Sequence, residues 1–188
     1  NVGLDMGYNP MDGIDEALEE NYRKVIPTGF GRLDKALYGG LGAGELGVII
    51  APSGVGKSSA TTGFAASAAT YKCEDNNYGG YKVLHIHFED EDVNIKRKYY
   101  GWITGVDAID LSKPEFRDDV KARLKSDLSE EARMIKENVW CFHLPSGEVT
   151  VGQIEQIIKQ AIARGFKPDL AIIDYFECLE TESTDKND

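Results

Sequence analysis

Ala51-Pro-Ser-Gly-Val-Gly-Lys-Ser58 follows the apolar run Leu46-Gly-Val-Ile-Ile50 and leads into a segment rich in small residues. The stretch reads as a phosphate-binding loop. Successive backbone N–H groups of Ser53, Gly54, Val55, Gly56 and Lys57 can curl round an anion, and the helix that follows points its positive end at the same charge. Gly54 and Gly56 permit the curl. Lys57 would reach the β- and γ-phosphates of a nucleotide, the Ser58 hydroxyl would offer Mg²⁺ an oxygen ligand, and Ser59 lies beside them in the same helical turn. The pattern departs from G-x-x-x-x-G-K-[ST] only at Ala51, where the first glycine mainly eases the turn. A chance glycine-rich turn is the bland alternative. The buried strand expected over 46–50 and the helix expected after the loop argue against it.

Around that loop, 188 residues suffice for one domain with a sizeable core. With 41% hydrophobic and 28% charged residues the chain falls in the soluble globular class. No apolar run is long enough to cross a bilayer, and the N-terminus lacks a signal pattern, so no membrane partner is expected. Cys73, Cys141 and Cys178 are odd in number and widely spaced, which fits reduced thiols and a cytoplasmic setting rather than a disulfide framework. A net charge of −11 argues against a surface that wraps nucleic acid. It leaves room for a basic channel built from a few loops.

Residues 1–26 read as an irregular lead-in followed by a helix: Ile14, Ala17, Leu18, Tyr22 and Val25 recur at helical spacing between Asp12 and Pro27. That stripe can pack on its own domain or dock on a neighbouring subunit, and the sequence does not choose. Residues 27–188 read as the core. A short helix carrying Phe30, Leu33 and Leu37 precedes the glycine-rich approach to the loop, and the helix after the loop runs from Ser58 to about Lys72. Tyr81–Phe88 is the second strand, ending in Glu89-Asp-Glu-Asp92. Four acids are usually a solvated loop, yet the carboxyl end of a strand is where ligands bind in open α/β sheets.

A helix over 93–102 follows, and then a charged helix after Pro114 whose stripe is Phe116, Val120, Leu124 and Leu128. Lys96-Arg97-Lys98 reads as surface pairing. Val139–Leu144 is a third strand. Thr150 and Gln153 form a capping box for a helix that stops at Gly165. Asp169–Asp174 reads as a fully buried fourth strand with an acid at its end, a Walker B pattern in which Asp174 joins Ser58 around Mg²⁺. His85, His87, Cys141 and His143 are metal-ligand types at i, i+2 spacing on two strands. Ordinary packing is the expected reading of them.

The succession T-G-F-x-x-L-D at Thr28–Asp34, G-G-L-x-x-G-E-L at Gly39–Leu46, then a strand and the phosphate loop, resembles the RecA-like ATPases, in particular DnaB replicative helicases and KaiC-like proteins. The resemblance covers about residues 27–180. It implies an α/β fold with a mostly parallel sheet flanked by helices, ATP and Mg²⁺ as cofactors, and Glu89 as the catalytic glutamate at the end of the second strand. It also implies that the strand after Walker B inserts between the Walker A and Walker B strands. That strand, the DNA loops and an arginine finger would lie beyond Asp188, leaving the fold incomplete at its C-terminus. The expected activity is ATP hydrolysis by a DnaB-type helicase on single-stranded DNA, in a homo-oligomeric ring, a hexamer. Asp174-Tyr-Phe-Glu-Cys-Leu179 is closer to the I-D-Y-L-Q-L of such helicases, whereas Phe88-Glu-Asp90 and the acidic charge suit a KaiC-like or recombinase-type ATPase. A nucleotide-gated assembly module is the rival from another class, and a small-molecule kinase fits less well.

Overall fold

The computed structural model describes residues 14–15, 24–72, 79–125, 129–147 and 149–175, together with the backbone of 179–180. Of the expected lead-in helix, Ile14 and Asp15 fall within these and are helical, as do Lys24 and Val25, which are not. Val25 does not continue that helix. It begins strand β1 (Val25–Ile26), because Pro27 biases the preceding residue toward extended backbone. Helix α1 (Gly31–Ala36) follows, flanked by Phe30 and Leu37, and β2 (Leu41–Gly42) then pairs antiparallel with β1. The T-G-F-x-x-L-D motif now has a physical reason. The Asp34 carboxylate accepts from the Thr28 amide (2.7 Å), the Thr28 hydroxyl (2.7 Å) and the Gly29 amide (3.1 Å), pinning the entry turn to the short helix. Gly29, at φ +81°, lies so close to Ser67 that a Cβ would fall 2.1 Å from its Oγ.

Helix α2 (Lys57–Ala69) is built from small residues, and Gly63, Ala65, Ala66, Ala68 and Ala69 are buried. It leads to β3 (Val83–His87), then α3 (Asp92–Thr104), a 3₁₀ turn (Asp110–Ser112) and α4 (Pro114–Leu124). The stripe expected to run on to Leu128 stops at Leu124, and Leu128 lies outside the described residues. Helix α5 (Glu130–Asn138) is separate, capped by Ser129, whose hydroxyl accepts from the Ala132 amide at 3.2 Å. The sequence reading missed this helix. Strand β4 (Val139–His143), β5 (Val149–Thr150), α6 (Val151–Ala163), β6 (Leu170–Asp174) and β7 (Leu179–Glu180) complete the described chain. The capping box on α6 forms as expected, with Thr150 accepting from the Gln153 amide and Gln153 reaching back to the Thr150 amide.

Strands β4, β3 and β6 form a parallel sheet in that order, while β5 and β7 pair separately. The period-2 alternation of β3 sends Leu84, Ile86 and, beyond its end, Phe88 to one face, where they pack with Val149, Ile154, Ala161 and Phe166. Val83 faces the other way, against Ala65, Ala66, Ala68 and Ala69 of α2 and Ile95 and Tyr99 of α3. Every side chain of β3 is buried. Each fully buried Leu or Ile there contributes roughly 1.5–3 kcal/mol.

Two expectations of buried strands fail. The apolar run Leu46–Ile50 joins no described ladder and stands open, with Leu46 88% and Ile50 91% exposed. Strand β6, expected to be fully buried, has Ala171 exposed and only Asp174 buried. Among the described residues β6 is paired on one side alone, by β3, and Leu46–Ile50 joins no ladder. Among the described residues no helix is long and apolar enough to cross a membrane.

Candidate functional site

The phosphate loop has the backbone its sequence requires. Gly54 lies at φ +80° and Gly56 at φ +97°, both in left-handed conformations that side chains rarely adopt, although a Cβ at either would meet nothing within 4 Å. Gly56 is the N-cap of α2 with no side-chain cap, and the first turn carries no acid. Among the described residues the opening amides of this 13-residue helix have no side-chain acceptor, and the positive end of its dipole faces the loop. Ser53 to Gly56 are exposed around it. This fits a polyphosphate. Lys57 Nζ donates to the Ala51 carbonyl at 2.9 Å, spanning the loop it belongs to.

At the carboxyl end of β6, Asp174 is buried at 5% exposure. The Thr61 hydroxyl of α2 lies 3.2 Å from its Oδ2 and 3.1 Å from the Ser58 carbonyl. Ser58 sits one turn before Thr61 on the same helix face, so the phosphate-loop serine and the Walker B aspartate are held on facing elements. Oxygen donors of this kind suit Mg²⁺.

Glu89 stands two residues past the end of β3, beside Asp174 across the ladder that pairs His87 with Asp174. It is exposed, and the Tyr175 hydroxyl donates to its Oε1 at 2.9 Å. Lys57 Nζ lies 5.3 Å from the centre of the Tyr175 ring, within cation–π range. Tyr175 therefore links the loop lysine to the strand-end glutamate. Asp90 is engaged elsewhere, in an ion pair with Lys98. Lys98 thus pairs with one of the neighbouring acids, as expected of Lys96-Arg97-Lys98, although at a half-buried position.

The structure thus brings Lys57, Ser58, Asp174 and Glu89 to one end of the sheet. Sequence reasoning gave no role to Thr61 or Tyr175. Thr61 is one turn after Ser58, and Tyr175 directly follows Asp174, so both spacings were in view; the contacts themselves span 113 and 86 residues of chain.

Behind the site His85 and His87 occupy the α2/α3 face of β3 by alternation. His85 Nδ1 is 2.9 Å from the Tyr99 hydroxyl, and its buried Nε2 has no partner among the described residues. Burial, reinforced by the neighbouring His87 and Lys98, pushes His85 down to about 3, so it stays neutral. Burial also lowers His87, against the Asp90 carbonyl at its Nδ1.

No curated protein matches the chain in sequence. A family model described as AAA domain matches residues 24–188, from β1 through the loop, Glu89 and Asp174. The chain belongs to this family of P-loop ATPases, with the α/β fold, nucleotide binding and associated Mg²⁺ that membership implies.

Proposed function

We propose that the chain is the motor core of a DnaB-type replicative helicase, which hydrolyses ATP and translocates on single-stranded DNA as a homo-oligomeric ring, a hexamer. The observation that carries the hydrolase reading is the connection Lys57–Tyr175–Glu89 beside Asp174. In this reading Lys57 and the amides from Ser53 to Lys57 hold the β- and γ-phosphates, with Ser59 beside them in the first turn of α2. Ser58 and Asp174 would hold Mg²⁺, which supplies charge neutralisation as the β,γ bond breaks. Glu89 orients the attacking water and takes its proton. The Tyr175 hydroxyl occupies one carboxylate oxygen and leaves the other for that water. Asp90 does not compete for this role, because Lys98 holds it.

The open edge of β6 and the open run Leu46–Ile50 support the rest of the architecture. A further strand inserted between them would pair both and cover Leu46, Val48 and Ile50. In this reading that strand, the DNA loops and the arginine finger come from segments after Asp188, and residues 1–26 serve as a linker toward the neighbouring subunit. Phe88-Glu-Asp90 and the charge of −11 favour a second reading, a KaiC-like or recombinase-type ATPase that does not unwind DNA.

Phosphate release from ATP, measured with and without single-stranded DNA in the parent protein and its Glu89→Gln variant, tests both. Stimulation by DNA that vanishes in the variant is expected. Turnover indifferent to DNA but dependent on Glu89 would favour the second reading, and a fully active variant would remove Glu89 from the mechanism.

A further inference from the structure

Three side chains on the α2/α3 face gather beyond the nucleotide site. His87 and His143 are Cα partners across β3 and β4, and Asp92 is the first residue of α3. One ligand-type atom from each lies within 4.8 Å of the other two. His143 Nδ1 is 3.2 Å from Asp92 Oδ1, and His87 Nε2 is 3.9 Å from the same oxygen.

The protonation of His87 follows from its other nitrogen. Nδ1 lies 2.9 Å from the Asp90 carbonyl, which can only accept, so Nδ1 carries the proton and Nε2 keeps its lone pair, turned toward Asp92. A backbone carbonyl that fixes the far nitrogen is the usual support of a metal-ligating histidine. The geometry points to a binding site for a Zn²⁺-type divalent cation formed by His87, His143 and Asp92, with a fourth position open to water.

The donor set decides the class of ion. Two imidazoles and one carboxylate suit Zn²⁺ and its first-row neighbours, whereas Mg²⁺ seeks oxygen alone. His87 is 2% exposed and anchored, while His143 and Asp92 are exposed and give the ion a way in. The two imidazole rings stack at 4.9 Å between centroids and 21° between planes. Bringing both lone pairs onto one ion at about 2.0–2.1 Å takes a turn of the exposed His143 ring about its broad terminal torsion. Residues 88–91 run between two of the ligands. A bound ion would therefore staple the base of the loop that carries Glu89, tying the start of α3 to both strands. Ordinary packing, the expectation from sequence, describes His85 with Tyr99 but not this trio.

The test is Co²⁺ titration of the metal-stripped, tag-free chain, followed by visible ligand-field absorption and competition with Zn²⁺ and Mg²⁺. The chain has three histidines in all, so background sites are few. Expected are one ion per chain, displacement by Zn²⁺ but not Mg²⁺, and a loss of affinity of about tenfold or more in both His143→Ala and Asp92→Asn. Both substitutions fall at exposed positions, so folding survives, and His143→Gln serves as a second variant. Absence of a ligand-field band, unchanged affinity in the variants, or Mg²⁺ competing as well as Zn²⁺ would overturn the site. A sulfur-to-cobalt charge-transfer band would also overturn it, by placing a cysteine in the shell.

Discussion

Along β3, Leu84 and Ile86 enter one face of the sheet, and Val83, His85 and His87 enter the other. The first face meets Ile154, Ala161 and Phe166 in an apolar contact, and Tyr175 packs against the same cluster beyond the end of β6. The second is apolar only at its amino end. At its carboxyl end a polar row crosses the sheet in register, His143 beside His87 beside Asp174. The two faces share one backbone and are equally buried along β3, so burial alone does not distinguish structural from chemical residues. What distinguishes them is a set of buried polar groups held by partners at the carboxyl end of one face: Asp174 has Thr61, and His87 Nδ1 has the Asp90 carbonyl.

That division predicts separable effects. The largest should come from Glu89→Gln, which keeps size and fold but removes the carboxylate, lowering phosphate release by on the order of 10²–10⁴ with an unchanged melting curve. Next is Ile86→Ala on the opposite face, which should cost about 2–5 kcal/mol in a denaturant titration while leaving nucleotide affinity of the folded fraction intact. If it instead abolished nucleotide binding without loss of stability, the division of the faces would be wrong. Thr61→Val should sit between the two behaviours. It removes a hydrogen bond to a buried carboxylate, about 1.5–3 kcal/mol, and should weaken Mg²⁺-dependent nucleotide binding as well as stability.

An effect confined to low pH, and absent at neutral pH, is expected on the acid side of the metal-free chain. His85 is held near 3 when folded, against an ordinary 6.5, so below about 6.5 the unfolded chain takes up a proton that the folded chain refuses. Stability should fall as pH drops from about 6.5 toward 3. His85→Leu should flatten that limb of urea midpoint against pH, and an unaltered slope would locate the acid sensitivity elsewhere.

Local chemistry made much of this legible from sequence. The phosphate loop, the capping box at Thr150 and the position of Asp174 each depend on residues within a few places of one another. Whether a strand is buried does not. Leu46–Ile50 and Leu170–Asp174 have the composition of central strands, but burial depends on what lies alongside, and among the described residues the first joins no ladder and the second is paired on one side alone. The four-residue rhythm of Phe116, Val120 and Leu124 hid the helix that follows, whose cap and acidic first turn are Ser129-Glu-Glu131. Tyr175 and Thr61 were visible as letters. Their partners became known only when the sheet placed Glu89 and Asp174.

The open run at 46–50 has a further consequence for the molecule in a crowded solution. Leu46-Gly-Val-Ile-Ile50 contains neither charge nor proline, and among the described residues its backbone joins no ladder along this exposed apolar run. Such a run is a template for strands of other molecules. The chain taken alone should therefore be limited by its solubility before its thermal stability, self-associating as its concentration rises.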